Sequence, residues 1–294
     1  TSNDRKERRE PALWKVAESW IEELSQLLSH EKFLGEEESA SEDASSMELF
    51  SRASIGEASL GEPPSDTAAK IKESLSDQLA WLKDRVETHH PNAPIVFCHN
   101  DVNAANVLLH SSIGNINNSN INNNTSDNDD ENSFHKESVA IIDYEYGSLN
   151  YAMYDVANFE CEHCGGNDNG VPNSELLPCA DRQRAFLEEY VRQRNEISKN
   201  GEGEHAGRAN AATTTPSEEV RELRSQVRLF RMASDLYWGI WGILQAAGEV
   251  VADGSFGREG ALSRLEGEVD LDKWDNLRYG KNRLERYRVC KEGI

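Results

Sequence analysis

The chain has 294 residues and a formal net charge of -22, with 53 Asp and Glu against 31 Lys and Arg. More than half of that charge lies in three polar stretches, 35–66, 114–137 and 200–218, and the balance is ordinary for a folded domain. This composition gives no support to nucleic acid or an anionic membrane as primary partner, and five cysteines in so long a chain point to a reduced, cytoplasmic setting rather than a disulfide framework.

In chain order, Thr1 to Glu10 is charged and has neither an initiator Met nor the apolar stretch of a signal peptide, so it reads as a chain cut open upstream. From Pro11 to Leu28, the residues Leu13, Ala17, Trp20, Leu24, Leu27 and Leu28 recur at helical spacing, which predicts an amphipathic helix within 1–34. Residues 35–66, rich in Glu, Ser and Ala and closed by Gly61-Glu62-Pro63-Pro64, are expected to be a disordered acidic insertion. The catalytic part of the chain is then assigned to 67–294. Its first helix carries Ile71, Leu75, Leu79 and Leu82 and ends before Pro91 and Pro94.

The period then changes. Ile95-Val96-Phe97-Cys98 and Val107-Leu108-Leu109 are short apolar runs separated by polar residues His99 to Asn106, a strand, loop, strand pattern. The asparagine-rich stretch 114–137 reads as a disordered surface loop. Val139-Ala140-Ile141-Ile142 is a strand by composition and ends on Asp143. Together these predict a hairpin with a lengthened turn, which loop-closure entropy permits at modest cost. The remainder is helical over Arg182–Ile197, Glu218–Val250 and Asp272–Val289, with a linker at 200–216, and neither an internal repeat nor a membrane span is apparent.

The chemistry concentrates between those strands. Asp101 and Asn106 lie five apart on one loop, and Asp143 closes the neighbouring strand. Phosphoryl transfer needs an acceptor hydroxyl held in line and phosphate charge neutralised by Mg²⁺, and Mg²⁺ prefers an oxygen shell of carboxylate, carbonyl, phosphate and water. A polar turn between strands is the bland alternative, and Asp143 in the position that the chemistry requires weighs against it. Trp238 and Trp241, three apart, share one helix face and by themselves read as core aromatics. Cys161-Glu162-His163-Cys164 invites a zinc reading but lacks a second ligand pair.

The loop spacing matches that of protein kinases, and the whole resembles the choline and ethanolamine kinase family. The resemblance rests on Phe97-Cys98-His99-Asn100-Asp101, Ile142-Asp143-Tyr144-Glu145-Tyr146, Asn150-Tyr151 through Asn158, Trp238-Gly239-Ile240-Trp241 and Lys281 through Tyr287. It implies an α+β fold, the mostly helical C-terminal lobe of a protein-kinase-like enzyme. It implies that Asp101 orients or deprotonates the hydroxyl, that Asn106 and Asp143 hold Mg²⁺, and that Glu145 holds a second one through water. It further implies that Asp155 and His99 support the loop, and that Trp238, Trp241 and Glu162 face the substrate ammonium. Substrates would be ATP and a small amino alcohol, and a homodimer is compatible with the resemblance. The family's ATP-gripping N-terminal lobe, with its Gly-rich loop and strand Lys, has no counterpart in this sequence, in keeping with a fragment. Ethanolamine is favoured over choline because the family's choline enzymes follow the Cys-Glu pair with Trp and then Tyr, where this chain has His163 and Cys164. Glu160 and Asp235 are candidate additional acceptors. Choline kinase, an aminoglycoside-type phosphotransferase and a non-catalytic binding module are the rival readings.

Overall fold

The computed structural model describes residues 10–34, 46–56, 63–111, 137–164, 170–199, 215–253 and 274–293. Helix α1 (Ala12–Leu28) buries Leu13, Trp14, Ala17, Ile21, Leu24 and Leu28 as one stripe. A short α2 (Glu31–Leu34) follows. The next element corrects the expected disordered insertion at 35–66: residues Ser46–Ile55 form helix α3, with Met47, Leu49, Phe50 and Ala53 in the core. Its few apolar residues suffice because the helices at Pro64–His89 and Asn276–Glu292 both pack on it, so tertiary burial outweighs a polar local composition. The rest of that stretch, apart from Gly56 and the approach to α4 at 63–66, lies outside the described residues. Helix α4 (Pro64–His89) begins with Pro in its first turn and buries Ile71, Leu75, Leu79, Leu82 and Val86.

Four short strands make two antiparallel pairs. Strand β1 (Ile95–Cys98) pairs with β4 (Ser148–Tyr151) in the register Ile95 to Tyr151 and Cys98 to Ser148. Strand β2 (Val107–Ser111) pairs with β3 (Glu137–Ile141) in the register Val107 to Ile141. The expected hairpin is thus present, and most of the expected loop at 114–137 lies outside the described residues. Strand β4 takes in Asn150 and Tyr151, the first residues of the quoted segment through Asn158, and the helix in that segment begins at Ala152. The topology places residues 99–106, between β1 and β2, beside residues 142–147, between β3 and β4.

Helices α5 (Ala152–Glu162), α6 (Ala180–Lys199), α7 (Pro216–Asp253) and α8 (Asn276–Glu292) complete the chain. Of the expected linker at 200–216, residues 200–214 lie outside the described residues, and at Thr215 a reciprocal cap forms: Thr215 N–H donates to Glu218 at 2.9 Å and Glu218 N–H to the Thr215 hydroxyl at 3.3 Å. Residues 232–240 of α7 are all buried, the pattern of a helix surrounded by others, and α1, α4, α5, α6 and α8 pack on it. Its contact with α8 is backbone to backbone. A Cβ at Gly280 would lie 2.7 Å from Ile243 N and 2.9 Å from Gly239 O.

Candidate active site

The loop after β1 is shaped by hydrogen bonds that its own side chains make. Asn100 adopts the left-handed region at φ 69°, a strained choice for a residue other than Gly. Its buried side chain holds that conformation, donating to Tyr146 O and Ser148 Oγ at 2.8 Å each and accepting from Asn150 Nδ2 at 2.8 Å. Beneath the loop, the Asp155 carboxylate accepts the backbone N–H of His99 at 2.8 Å and of Asn100 at 2.7 Å. Burial nevertheless raises the Asp155 carboxyl, with those two donors opposing the shift.

His99 fastens this loop to the next one. Its Nε2 lies 2.7 Å from Ile142 O, which can only accept, so Nε2 carries the proton and Nδ1 accepts from Asp101 N–H at 3.2 Å. The backbone N–H of Ile142 in turn donates to Asn106 O at 3.0 Å. These bonds hold Ile142, the residue before Asp143, against the loop that carries Asp101 and Asn106. Asp143 itself sits at φ 65°, a second left-handed residue, two positions after the end of β3.

Asp101 is half-buried. Its Oδ2 accepts from Asn103 Nδ2 and from Asn106 Nδ2, each at 3.2 Å. No other described residue hydrogen-bonds Oδ1. Burial pushes the carboxyl up to about 6, the Glu162 charge adds to the rise, and the two amides and His99 oppose it. Asn103, which sequence reasoning passed over, also caps the 3₁₀ turn at Ala104–Asn106, its Oδ1 accepting from Ala105 N and Asn106 N. Asn106 is buried and spends both amide hydrogens on Asp101, at O and Oδ2. That fixes the amide so that its oxygen is left for a ligand. Asp143 and Glu145 are exposed, and among the described residues nothing hydrogen-bonds or pairs with their carboxylates.

An aromatic floor adjoins this loop. Trp238 meets Trp241 at 5.7 Å between ring centroids and Tyr146 at 5.1 Å, both edge to face, and Trp241 meets Tyr279 at 6.2 Å. Trp238 is mostly core: it is 5% exposed and donates its indole N–H to Asn158 at 2.8 Å. Trp241 is half-buried and so is Tyr146. Burial raises the Tyr146 phenol, and the charges of Glu145, Asp101 and Asp143 raise it further. Tyr146 and Tyr279 were not singled out from sequence, although Tyr146 lies in a quoted motif.

Three predicted acceptors are already engaged. Glu162 forms an ion pair with the buried Arg283. Asp235 takes Arg283 Nη1 at 3.0 Å and Arg286 Nη2 at 3.1 Å. Glu160 accepts from Gln183 at 2.9 and 3.0 Å. As additional acceptors for a substrate amine, Glu160 and Asp235 are therefore withdrawn: both are buried with protein partners. Of the cysteines suggesting zinc, Cys161 and Cys164 are buried and free, and burial pushes the Cys161 thiol up to about 12. Among the described residues no group of three or more His, Cys, Asp and Glu could hold a metal ion.

The sequence profile of choline/ethanolamine kinases matches residues 2–288. The chain belongs to the choline/ethanolamine kinase family. Among curated members, ethanolamine kinase 2 of Mus musculus is 28% identical over 173 residues, 59% of this chain and 34% of that protein. A probable ethanolamine kinase of Nematostella vectensis is 27% identical over 75% of this chain and 46% of its own length. A probable choline kinase 1 of Arabidopsis thaliana is 23% identical over 74% and 46%. The chain thus spans less than half the length of these relatives. An ethanolamine kinase structure from Plasmodium vivax superposes with a TM-score of 0.56 at 16% identity, covering 98% of this chain and 52% of that one. A choline kinase from Cryptosporidium parvum gives 0.50 at 18% identity, covering 100% and 60%. The fold is accordingly the kinase-like α+β fold of this family. Among the described residues no helix is long and apolar enough to cross a membrane.

Proposed function

We propose that this chain carries the acceptor-side catalytic machinery of a cytoplasmic, ATP-dependent ethanolamine kinase, which makes phosphoethanolamine at the entry to the CDP-ethanolamine route to phosphatidylethanolamine. The observation that supports it best is the juxtaposition of the half-buried Asp101, its Oδ1 open, with the aromatic floor of Tyr146, Trp238 and Trp241. A hydroxyl placed at Asp101 Oδ1 is oriented by a carboxylate whose other oxygen is fixed by two amides. Its oxygen bonds to the γ-phosphorus as the bond to the bridging oxygen of ADP breaks, and its proton passes to Asp101. The ammonium end lies over aromatic faces, a cation–π arrangement.

The donors near the loop fit Mg²⁺. Asn106 Oδ1 and the carboxylate of Asp143 are hard oxygen donors, Glu145 is a third beyond them, and the small number of protein ligands suits an ion that takes phosphates and water for the rest of its shell. Bound there, Mg²⁺ would neutralise phosphate charge. The exposed apolar side chains Leu108, Leu109, Val139 and Ile141 of the hairpin suit the face of a nucleotide base and the lobe that grips it.

Ethanolamine is preferred because a primary ammonium has three N–H donors and needs acceptors as well as rings. Asp101, whose charge also acts on the Tyr146 phenol, is the acceptor nearest to hand, since Glu162 is held by Arg283. The position after Cys161-Glu162 holds an exposed His163, whose ring packs on Phe159 at 4.6 Å rather than walling a cage. The names of the curated relatives lean the same way. The test is a competition between ethanolamine and choline with Mg²⁺ and ATP in a protein that includes the ATP-gripping lobe. A higher kcat/KM for ethanolamine is expected; a higher value for choline overturns the preference, and phosphorylation of neither overturns the kinase reading.

A further inference from the structure

A second cleft, about 680 Å³ in volume, opens between α7, α8 and the loop at 172–177. Neither Asp101, Asn106, Asp143, Trp238 nor Trp241 lines it. In a chain of net charge -22, its polar wall carries the guanidinium groups of Arg228, Arg231 and Arg286. Arg228 is exposed and has no ion-pair or hydrogen-bond partner among the described residues. Arg231 stands 3.7 Å from Glu160, whose oxygens are already bonded by Gln183. Arg286 gives Nη2 to Asp235 at 3.1 Å, while its buried Nη1 has no hydrogen-bond partner. A buried donor without an acceptor is costly.

The acids in this wall are occupied. Asp235 is shared by Arg283 and Arg286, and Glu285 pairs with Lys281 at 3.3 Å. The three arginines share the lining of one cleft with Cys290. The lining also carries the apolar side chains of Pro172, Leu177, Met232 and Val289, the last two on the same helices as the arginines.

We infer that this cleft is an anion site for a small soluble organic phosphate, its phosphate group held by Arg228, Arg231 and Arg286 and its carbon portion packed against Met232 and Val289. Planar guanidinium groups match phosphate oxygens in pairs, and a small rotation of Arg286 gives its unmatched Nη1 an acceptor. Arg286 also ties the cleft to Asp235, Arg283 and Glu162, whose charge acts on Asp101. A ligand there is therefore in contact with the scaffold of the reaction site.

The experiment is calorimetric titration of the 294-residue chain with glycerol 3-phosphate at low salt in EDTA, where magnesium-dependent phosphate binding is suppressed and no turnover is read. One-to-one binding in the millimolar range or tighter is expected, with glycerol silent. Arg228→Gln and Arg231→Gln are each expected to weaken it about tenfold, the loss of a charge-assisted contact, with Arg228→Gln leaving the melting temperature of the free chain unchanged. Absence of saturable binding overturns the inference, and so does binding that neither substitution weakens. Binding to vesicles of phosphatidylcholine and phosphatidate without binding to the free ester overturns the assignment of a soluble ligand.

Discussion

The molecule handles its carboxylates in two opposite ways. On the loops at 99–106 and 142–147, Asp143 and Glu145 are exposed without described partners, Asp101 keeps one oxygen open, and Asn100 and Asp143 sit in left-handed backbone. In the helical body, Glu162 and Asp235 share the buried Arg283, and Asp155 spends both oxygens on backbone amides. Charges in the body are satisfied and hold structure. Those on the loops remain available, and their strained backbone is tolerated because the body holds it from below. The difference teaches that a substitution on the loops should move activity and one in the body should move stability.

The largest test of that division is Asp101→Asn in a protein with the ATP-gripping lobe. The chemical step should fall by a factor on the order of 10²–10⁴ with an unchanged or higher melting temperature; near-normal turnover would remove Asp101 from the reaction. In the body, Arg283→Met strands Glu162 and leaves Asp235 with Arg286 alone, and should lose about 3–5 kcal/mol of stability in urea denaturation. A loss below about 1 kcal/mol would mean that solvent screens the cluster.

Asp155→Ala tests the join between the two regions. Two backbone N–H groups lose their acceptor, so stability should drop by about 2–4 kcal/mol, and turnover should fall with it. Asp155→Asn, which keeps one acceptor oxygen, should recover part of both; equal losses in the two variants would separate the loop from its support. The smallest effect is in pH. Burial lifts the folded Asp101 carboxyl to about 6, above its unfolded value of about 3.9. Its contribution to stability is therefore full below the unfolded value and lost as pH rises through about 6. Without magnesium, Asp101→Asn should flatten the stability profile between pH 4 and 7 by roughly a kcal/mol or less, given partial exposure, and an unchanged profile would place the titration elsewhere.

Much of the candidate loop was legible because it depends on local pattern. Two short apolar runs bracket His99 to Asn106, and Asp143 ends a third, so the strand context could be read without knowing any long-range contact. What was missed depends on distant partners. Strand β4 is four residues long and is a strand only because β1 lies alongside it. Helix α3 looks like a polar linker until α4 and α8 cover Leu49, Phe50 and Ala53. Arg283 joins residues 121 and 48 positions away, a link that no periodicity reveals. Asn103 could have been found from its place three residues before Asn106, where an Asn commonly caps a turn.

The hairpin of β2 and β3 has one more consequence. It is a two-stranded sheet with both outer edges unpaired among the described residues, and Leu109 and Val139 stand 76% and 61% exposed beside one another. Open strand edges and apolar side chains are what chains use to stick to their own copies. Among the described residues, the ribbon that joins Asn106 to the segment of Asp143 is therefore also a place where the chain is prone to self-association, so the proposed reactivity and solubility meet in the same few residues.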